Sequence, residues 1–246
     1  MKTALAMITI GPDSWTRRYS VARARDYAAQ HGYDFLQITE PIVKNSGRTP
    51  HWEKVLIPRA CPGYDRWLII DDDVLINLRK APPLPDLPVG HLGMVREPVP
   101  TRFKLPMEWL GNSGVLLLDR EAVDLLESAY AMGEYKDIVP GYGDQPALNA
   151  VAWSQKRVFR LDWKWNYMLM ADWLSDAYNQ EYPWTKDVGL ARRARVTLFA
   201  KLAVARFLPF LQVPAGERTM IRLRDCYFVH LIWFRMGASW IHRFLG

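Results

Sequence analysis

In Trp67-Leu68-Ile69-Ile70-Asp71-Asp72-Asp73-Val74-Leu75-Ile76, four large apolar residues give way abruptly to three carboxylates. A buried strand reads this way when it ends at a polar crevice: the apolar run fills a position covered on both faces, and the acids begin where the cover stops. Three adjacent acids repel one another, so the site favours a cation. In an open α/β sheet ligands bind at the carboxyl ends of strands, where alternate acids such as Asp71 and Asp73 can converge on one divalent ion. Magnesium or manganese held this way commonly also holds phosphate oxygens. The plainer alternative for an isolated Asp-x-Asp is a solvated acidic turn after a core strand, so the other segments must separate the two.

Upstream, the apolar run 4–10 predicts a first strand and Gly11-Pro12-Asp13-Ser14 the turn after it, with Asp13 or Ser14 capping a helix over 15–30. Gly32 stops that helix, a second strand covers 34–39, and a short helix over 52–60 leads into the acid-bearing strand. The order is β-α-β-α-β, which places the chain in the α/β class with a mainly parallel central sheet and helices on both faces. Downstream, the proline-rich 81–88 is a surface connection. A short strand follows over 92–95, and Gly111-Asn112-Ser113-Gly114 opens a clear one through Leu118. Asp119 is placed to cap a helix over 120–132 that Gly133 terminates, and Gly141 to Pro146 forms a loop entering a further helix over 147–153. A strand over 158–161 precedes the cluster Trp163-Lys164-Trp165-Asn166-Tyr167, and Cys226 to His230 reads as a late strand delivering a histidine.

Half of the 246 residues are hydrophobic, enough to bury a full core, and the formal charge of +6 favours anionic partners without choosing among nucleotide sugars, nucleic acid and acidic lipid. The basic residues are dispersed, which argues against nucleic acid. Two isolated cysteines, Cys61 and Cys226, supply neither a disulfide framework nor a zinc site, so a reducing, cytoplasmic setting is expected. The opening apolar run is too short for a secretion signal or a membrane span. Residues 191–213 combine Arg192, Arg193 and Arg195 with an apolar run interrupted by Lys201, Arg206 and Pro209, too broken to span a bilayer. Two readings stay open for it: a helix lying on an acidic membrane surface, on its inner face, or one packed on the domain. The eleven tryptophans, several beside Asn, Asp or Lys, suit a sugar-stacking cleft and equally suit core edges. The expected organisation is a core over 1–190, a basic-apolar insertion over 191–213, and a strand and helix over 214–246 that complete the site.

Four segments, taken in order, resemble the metal-dependent retaining glycosyltransferases of the GT-A fold, a Rossmann-like nucleotide-diphosphate-sugar transferase fold. The likeness is to the glycogenin group with the bacterial lipooligosaccharide α-galactosyltransferases and to the related yeast α-mannosyl and plant xylosyl transferases. Asp71-Asp72-Asp73 matches the family's Asp-x-Asp, Asn112-Ser113-Gly114 its Asn-(Ala/Ser)-Gly strand, Asp144-Gln145 its Asp-Gln helix start, and His230 its late histidine. His31-Gly32-Tyr33 and His51-Trp52-Glu53-Lys54 are further landmarks, whereas Leu231 to Met236 intervene where a glycine normally follows the histidine closely, and Ser239 stands near a lysine common in the closer group.

The resemblance implies a UDP- or GDP-sugar donor, a glycan or glycolipid acceptor and a divalent ion. Asp71 and Asp73 would supply carboxylates to that ion and His230 an imidazole, a mixed set that leans toward Mn2+ over Mg2+. Asp72 would meet a ribose hydroxyl or a backbone amide, Lys54 phosphate or sugar, and Asp13 and Arg17 the nucleotide. Asn112, Ser113 and Gly114 would contact sugar hydroxyls, Asp144 would bind a donor hydroxyl, and Gln145 would lie beneath the anomeric carbon. Each position also has an ordinary structural role: a core histidine, helix caps, solvated basic residues, a strand-opening turn. Two rivals share the acid-bearing strand: a haloacid-dehalogenase-like phosphatase, whose pattern departs here at Leu75, and a non-catalytic carbohydrate-binding protein that kept the fold.

Overall fold

The computed structural model describes residues 1–97, 105–135, 143–169, 171–172, 221–232 and 238–246. The apolar runs become one six-stranded sheet built from β1 (Thr3–Ile8), β2 (Asp34–Ile38), β3 (Arg66–Ile70), β5 (Leu92–Arg96), β6 (Gly111–Asp119) and β7 (Val158–Leu161), in the order β2-β1-β3-β6-β5-β7. Strand β1 is parallel to β2 and β3, and β5 is parallel to β7, while β6 runs antiparallel to both of its neighbours. The sheet is therefore mainly parallel, with β6 reversed.

Side chains alternate across a strand, so each strand feeds two cores. Ala4, Ala6, Ile69, Leu116 and Leu118 point to one face, against Leu125 and Leu126 of α3 (Val123–Met132) and Leu148 and Val151 of α4 (Gln145–Ser154). Leu5, Met7, Leu68, Ile70, Val115 and Leu117 point to the other, against Ala24, Tyr27 and Ala28 of α1 (Trp15–His31). Each fully buried Leu, Ile, Val or Met among them contributes about 1.5–3 kcal/mol. Ser14, not Asp13, caps α1 by accepting from Arg17 N at 3.2 Å, and Gly32 ends the helix at φ 68°, a left-handed conformation that glycine adopts without steric cost.

A second, three-stranded sheet was not legible in the sequence. The residues just past the acids form β4 (Val74–Ile76), which pairs antiparallel with β9 (Phe228–His230), and β9 pairs parallel with β8 (Tyr167–Met168). Its outer side carries Leu75, Tyr167 and Val229 under Ile241 and Leu245 of α5 (Ala238–Leu245). Segment 52–60 also differs in detail from the expected single helix: a 3-10 stretch (Pro50–Leu56) precedes α2 (Ile57–Ala60).

Four of the tryptophans among the described residues are core. Trp52, Trp67, Trp109 and Trp165 are all buried, and Trp165 packs edge-on against Tyr227 and Phe228. Within the tryptophan cluster, then, Trp165 holds the second sheet to the first and is not available to stack on a sugar. No helix among the described residues is long and apolar enough to cross a membrane. The insertion 191–213, with its expected membrane contact and its domain boundaries, lies outside the described residues.

Candidate active site

Where β3 stops, Asp71 donates its backbone N–H to Gly114 O at 2.9 Å, which ties the first acid to β6. The chain turns at once, with Val74 N bonding Asp71 O, and re-enters a sheet as β4, so Asp73 is held between two strands. Val74 is in register with His230, and Leu231 N donates to Asp73 O at 2.9 Å. Strand pairing between residues more than 150 positions apart thus sets Asp73 beside His230. Nε2 of His230 lies 3.1 Å from Asp73 Oδ1. One ligand atom each from Asp71, Asp73 and His230 falls within 4.8 Å of the others. Burial pulls the imidazole toward its neutral form, Asp73 beside it pulls the other way, and the net direction is upward. Two carboxylate oxygens and a buried imidazole nitrogen converging in this way fit a divalent ion, with a first-row transition metal better suited than magnesium.

Gly114 makes this packing feasible. A Cβ there would overlap the His230 ring, so the close approach that glycine permits is to the histidine.

Beside the three candidate ligands lies a buried lysine. The 3-10 stretch carries Lys54 inward, where Nζ donates to Asp71 Oδ1 at 2.9 Å, Ser113 O at 2.9 Å and Ser113 Oγ at 3.2 Å, and sits 3.5 Å from Asp144 Oδ2. Burial disfavours its charge, but Asp144 and Asp71 outweigh that and hold it protonated. Asp144 stands at the N-cap position of α4 without capping it, and its carboxyl is pushed up to about 6 by burial, against the opposing pull of Lys54. Gln145 Oε1 accepts from Ser113 N at 2.9 Å, whereas Gln145 Nε2 comes near Glu97 without a well-formed hydrogen bond. Asp144 Oδ2 likewise has an ion-pair neighbour but no hydrogen bond. Two consecutive residues thus carry buried polar atoms with only a loose neighbour each, beside the candidate metal-ligand cluster.

The structure adds two polar residues that sequence reading missed. Asn112 donates through Nδ2 to Glu97 and accepts through Oδ1 from Gly114 N at 2.8 Å and from Asn166 Nδ2 at 2.6 Å. Asn166 Oδ1 in turn faces His230 Nδ1 at 3.0 Å. Glu97 is buried, and burial pushes its carboxyl up to about 7 against the lowering pull of the Asn112 amide and the His230 charge. Neither residue stands in a motif. The one available signal was a lone acid after β5 and a lone amide within an aromatic cluster. Asn112 itself, expected against sugar hydroxyls, has its polar atoms engaged inside the protein.

Asp72 points away from the ligand cluster. It takes two bonds from the Arg17 guanidinium, at 2.7 and 3.0 Å, and Arg17 also donates to the carbonyls of Ile10, Gly11 and Pro12. The pair is a clasp that pins the turn after β1 to the acid-bearing turn, with Ser20 Oγ closing on Asp72 O at 2.6 Å. Asp13 is exposed and pairs with Arg18 at 3.2 Å.

Neither a protein-family model nor a curated protein sequence matches this chain. Solved structures do match it in fold. A glycosyltransferase involved in the glycosylation of the major capsid of PBCV-1 superimposes with a TM-score of 0.61 at 14% identity, covering 99% of this chain and 100% of that one. The galactosyltransferase LgtC, solved in complex with donor and acceptor sugar analogs, gives 0.51 at 12% identity over 98% of this chain and 95% of its own. The apo-form glycosyltransferase GlyE of Streptococcus pneumoniae TIGR4 gives 0.50 at 14% identity, with 99% of this chain matched to 62% of that one. With the acids at the carboxyl end of β3, one reversed strand beside it and full-length superposition on two of these enzymes, the fold of this chain is that of the GT-A glycosyltransferases.

Proposed function

We propose that this protein is a metal-dependent glycosyltransferase that moves a hexose from a nucleotide-diphosphate sugar, a UDP-sugar in the first instance, to a glycan or glycolipid acceptor with retention at the anomeric carbon. One observation carries the reading: Asp71, Asp73 and His230, contributed by two distant parts of the chain, offer ligand atoms within 4.8 Å of one another. Asp144 and Gln145 stand at the head of α4 nearby, joined to the cluster through Lys54 and Ser113. A divalent ion bound by the three ligands would supply the positive charge that a departing nucleoside diphosphate requires.

The remaining roles belong to the chain's own side chains. Lys54 neutralises Asp71 and Asp144 together, which lets two acids stand in one buried site. Asp144 Oδ2, 3.5 Å from Lys54, and Gln145 Nε2, near Glu97, keep only loose partners inside the protein and would bind donor hydroxyls at the sugar ring. An unmet buried polar atom costs about 1–3 kcal/mol, so a ligand that satisfies both gains directionality as well as affinity. A glutamine amide is a poor nucleophile. The acceptor oxygen therefore bonds the anomeric carbon on the face from which the phosphate oxygen departs, the departing phosphate takes the acceptor proton, and the Gln145 side-chain carbonyl oxygen, through the lone pair that Ser113 N does not use, stabilises the positive charge that develops on the ring.

The test is manganese-dependent hydrolysis and transfer, screened over UDP- and GDP-sugars, with Asp73→Asn as the control. Activity in the parent protein that falls at least a hundredfold in Asp73→Asn is expected. Equal activity in both proteins, or activity independent of added metal, overturns the reading. Turnover of a generic phosphate monoester that is lost in Asp71→Asn would favour the phosphatase instead.

A further inference from the structure

The hydrogen bonds behind His230 run in one direction, and the direction is fixed by the backbone. The Gly114 N–H can only donate, so the Asn112 side-chain atom 2.8 Å away must be its oxygen. That leaves the Asn112 NH2 facing the Glu97 carboxylate, which can only accept when ionised. Asn112 Oδ1 also lies 2.6 Å from the Asn166 amide, which must then present its NH2 there and its oxygen toward His230. Asn166 Oδ1, 3.0 Å from His230 Nδ1, requires a proton on that nitrogen. Reversing any amide sets two oxygens or two N–H groups against each other among residues that are all buried.

We infer that Asn166 is a positioning residue for His230, anchored by Glu97 and the Gly114 N–H through Asn112, and that this relay keeps His230 protonated on Nδ1 and leaves Nε2 to bind a divalent ion. The inference rests on the proposed metal site and deepens it. Without this partner, and with Nε2 3.1 Å from the Asp73 carboxylate, the neutral imidazole carries its proton on Nε2, the tautomer that offers no Nε2 lone pair to an ion. Outer partners of this kind commonly change metal affinity by 10–100-fold. Glu97 and Asn166 never touch the ion or the substrate. They act on the ring.

The experiment uses the full chain with ring-15N-labelled histidine, the His230 signal being identified by its loss in His230→Gln, and Mn(II) titration followed by electron paramagnetic resonance. In the parent protein and in Glu97→Gln, whose amide oxygen accepts as the carboxylate does, a slowly exchanging Nδ1–H is expected and Mn(II) affinity stays within about threefold. Asn166→Leu loses that proton and binds Mn(II) about 10–100-fold more weakly. Glu97→Met, which leaves the buried Asn112 NH2 without its acceptor, exchanges it faster and loses about tenfold in affinity. This second variant serves if Asn166→Leu does not fold. An unprotonated Nδ1 in the parent, or parental Mn(II) affinity in Asn166→Leu and Glu97→Met, overturns the relay. A protonated Nδ1 in a parent protein that binds no Mn(II) confirms the relay's hydrogen bonds and overturns the proposed metal site instead.

Discussion

Asp144 heads α4 but directs its carboxylate to Lys54 and Ser113 instead of the helix amides. The same economy runs through the site: Gly114 exists for the ring it faces. A methyl group there would occupy the space of His230, so Gly114→Ala is expected to lose about 1–3 kcal/mol of stability and to weaken Mn(II) binding more than tenfold. Thermal unfolding and metal titration of that variant check both. Glu97 and Asp144 give a pH signature. Between its ordinary value of 4.5 and about 7, the folded chain keeps a proton on Glu97 that the unfolded chain has released. Stability therefore falls as pH rises through that window, and the cost is complete above it. Asp144 acts in the same sense between 3.8 and about 6. Glu97→Gln, freed of the first cost, is expected to exceed the parent by about 1–3 kcal/mol at pH 8, with the difference shrinking toward pH 5. Urea unfolding at the two pH values decides it, since a difference that grows on acidification contradicts the assignment of the buried charge.

Among the elements, β6 divides its labour by end. Its first residues, Gly111 to Gly114, face the candidate site, while Asp119 at its far end caps the following turn through Ala122 N and holds Gly90 N, each at about 3 Å. Asn112 and Asp119 are seven residues apart, roughly 24 Å at strand rise. Asp119→Ala should therefore cost about 1–2 kcal/mol, read as a lower unfolding midpoint, and leave Mn(II) affinity unchanged. A change in affinity would mean that the two ends are coupled. Helix α1 shows the opposite pattern, with polar anchors and apolar packing on one face. Ser20 and Arg23 are buried beside Tyr27, and Arg23 bonds Ile76 O and His242 O, so the helix has no purely apolar stripe.

At the scale of the whole molecule, the three candidate metal ligands join β3 to β9 and thus the large sheet to the small one. An ion that binds only this closed arrangement stabilises it by about 2.7 kcal/mol at a hundred times its dissociation constant. That corresponds to a rise of about 5–10 °C in the unfolding midpoint for a chain of this size. Mn(II) should produce such a shift in the parent protein and none in His230→Ala. Much of the site was legible one residue at a time. The strand running into Asp71 and Asp73 and the Asn112-Ser113-Gly114 opening depend on local periodicity and turn chemistry, which sequence carries directly, whereas Asp144-Gln145 as a helix head came from the family resemblance, periodicity alone starting that helix at 147. Sequence was silent on Glu97 and Asn166, single polar residues without a pattern, and on Arg17 closing on Asp72, because side-chain pairing across 55 residues leaves no local trace. Composition and periodicity by themselves determined an α/β chain whose third strand ends in acids. Only the tertiary structure decided that β4 and β9 would pair, that Arg17 would be the partner of Asp72, and that two buried amides would line up behind the His230 ring. Strand register and amide direction are set by partners far along the chain, and those partners meet only when the chain has folded.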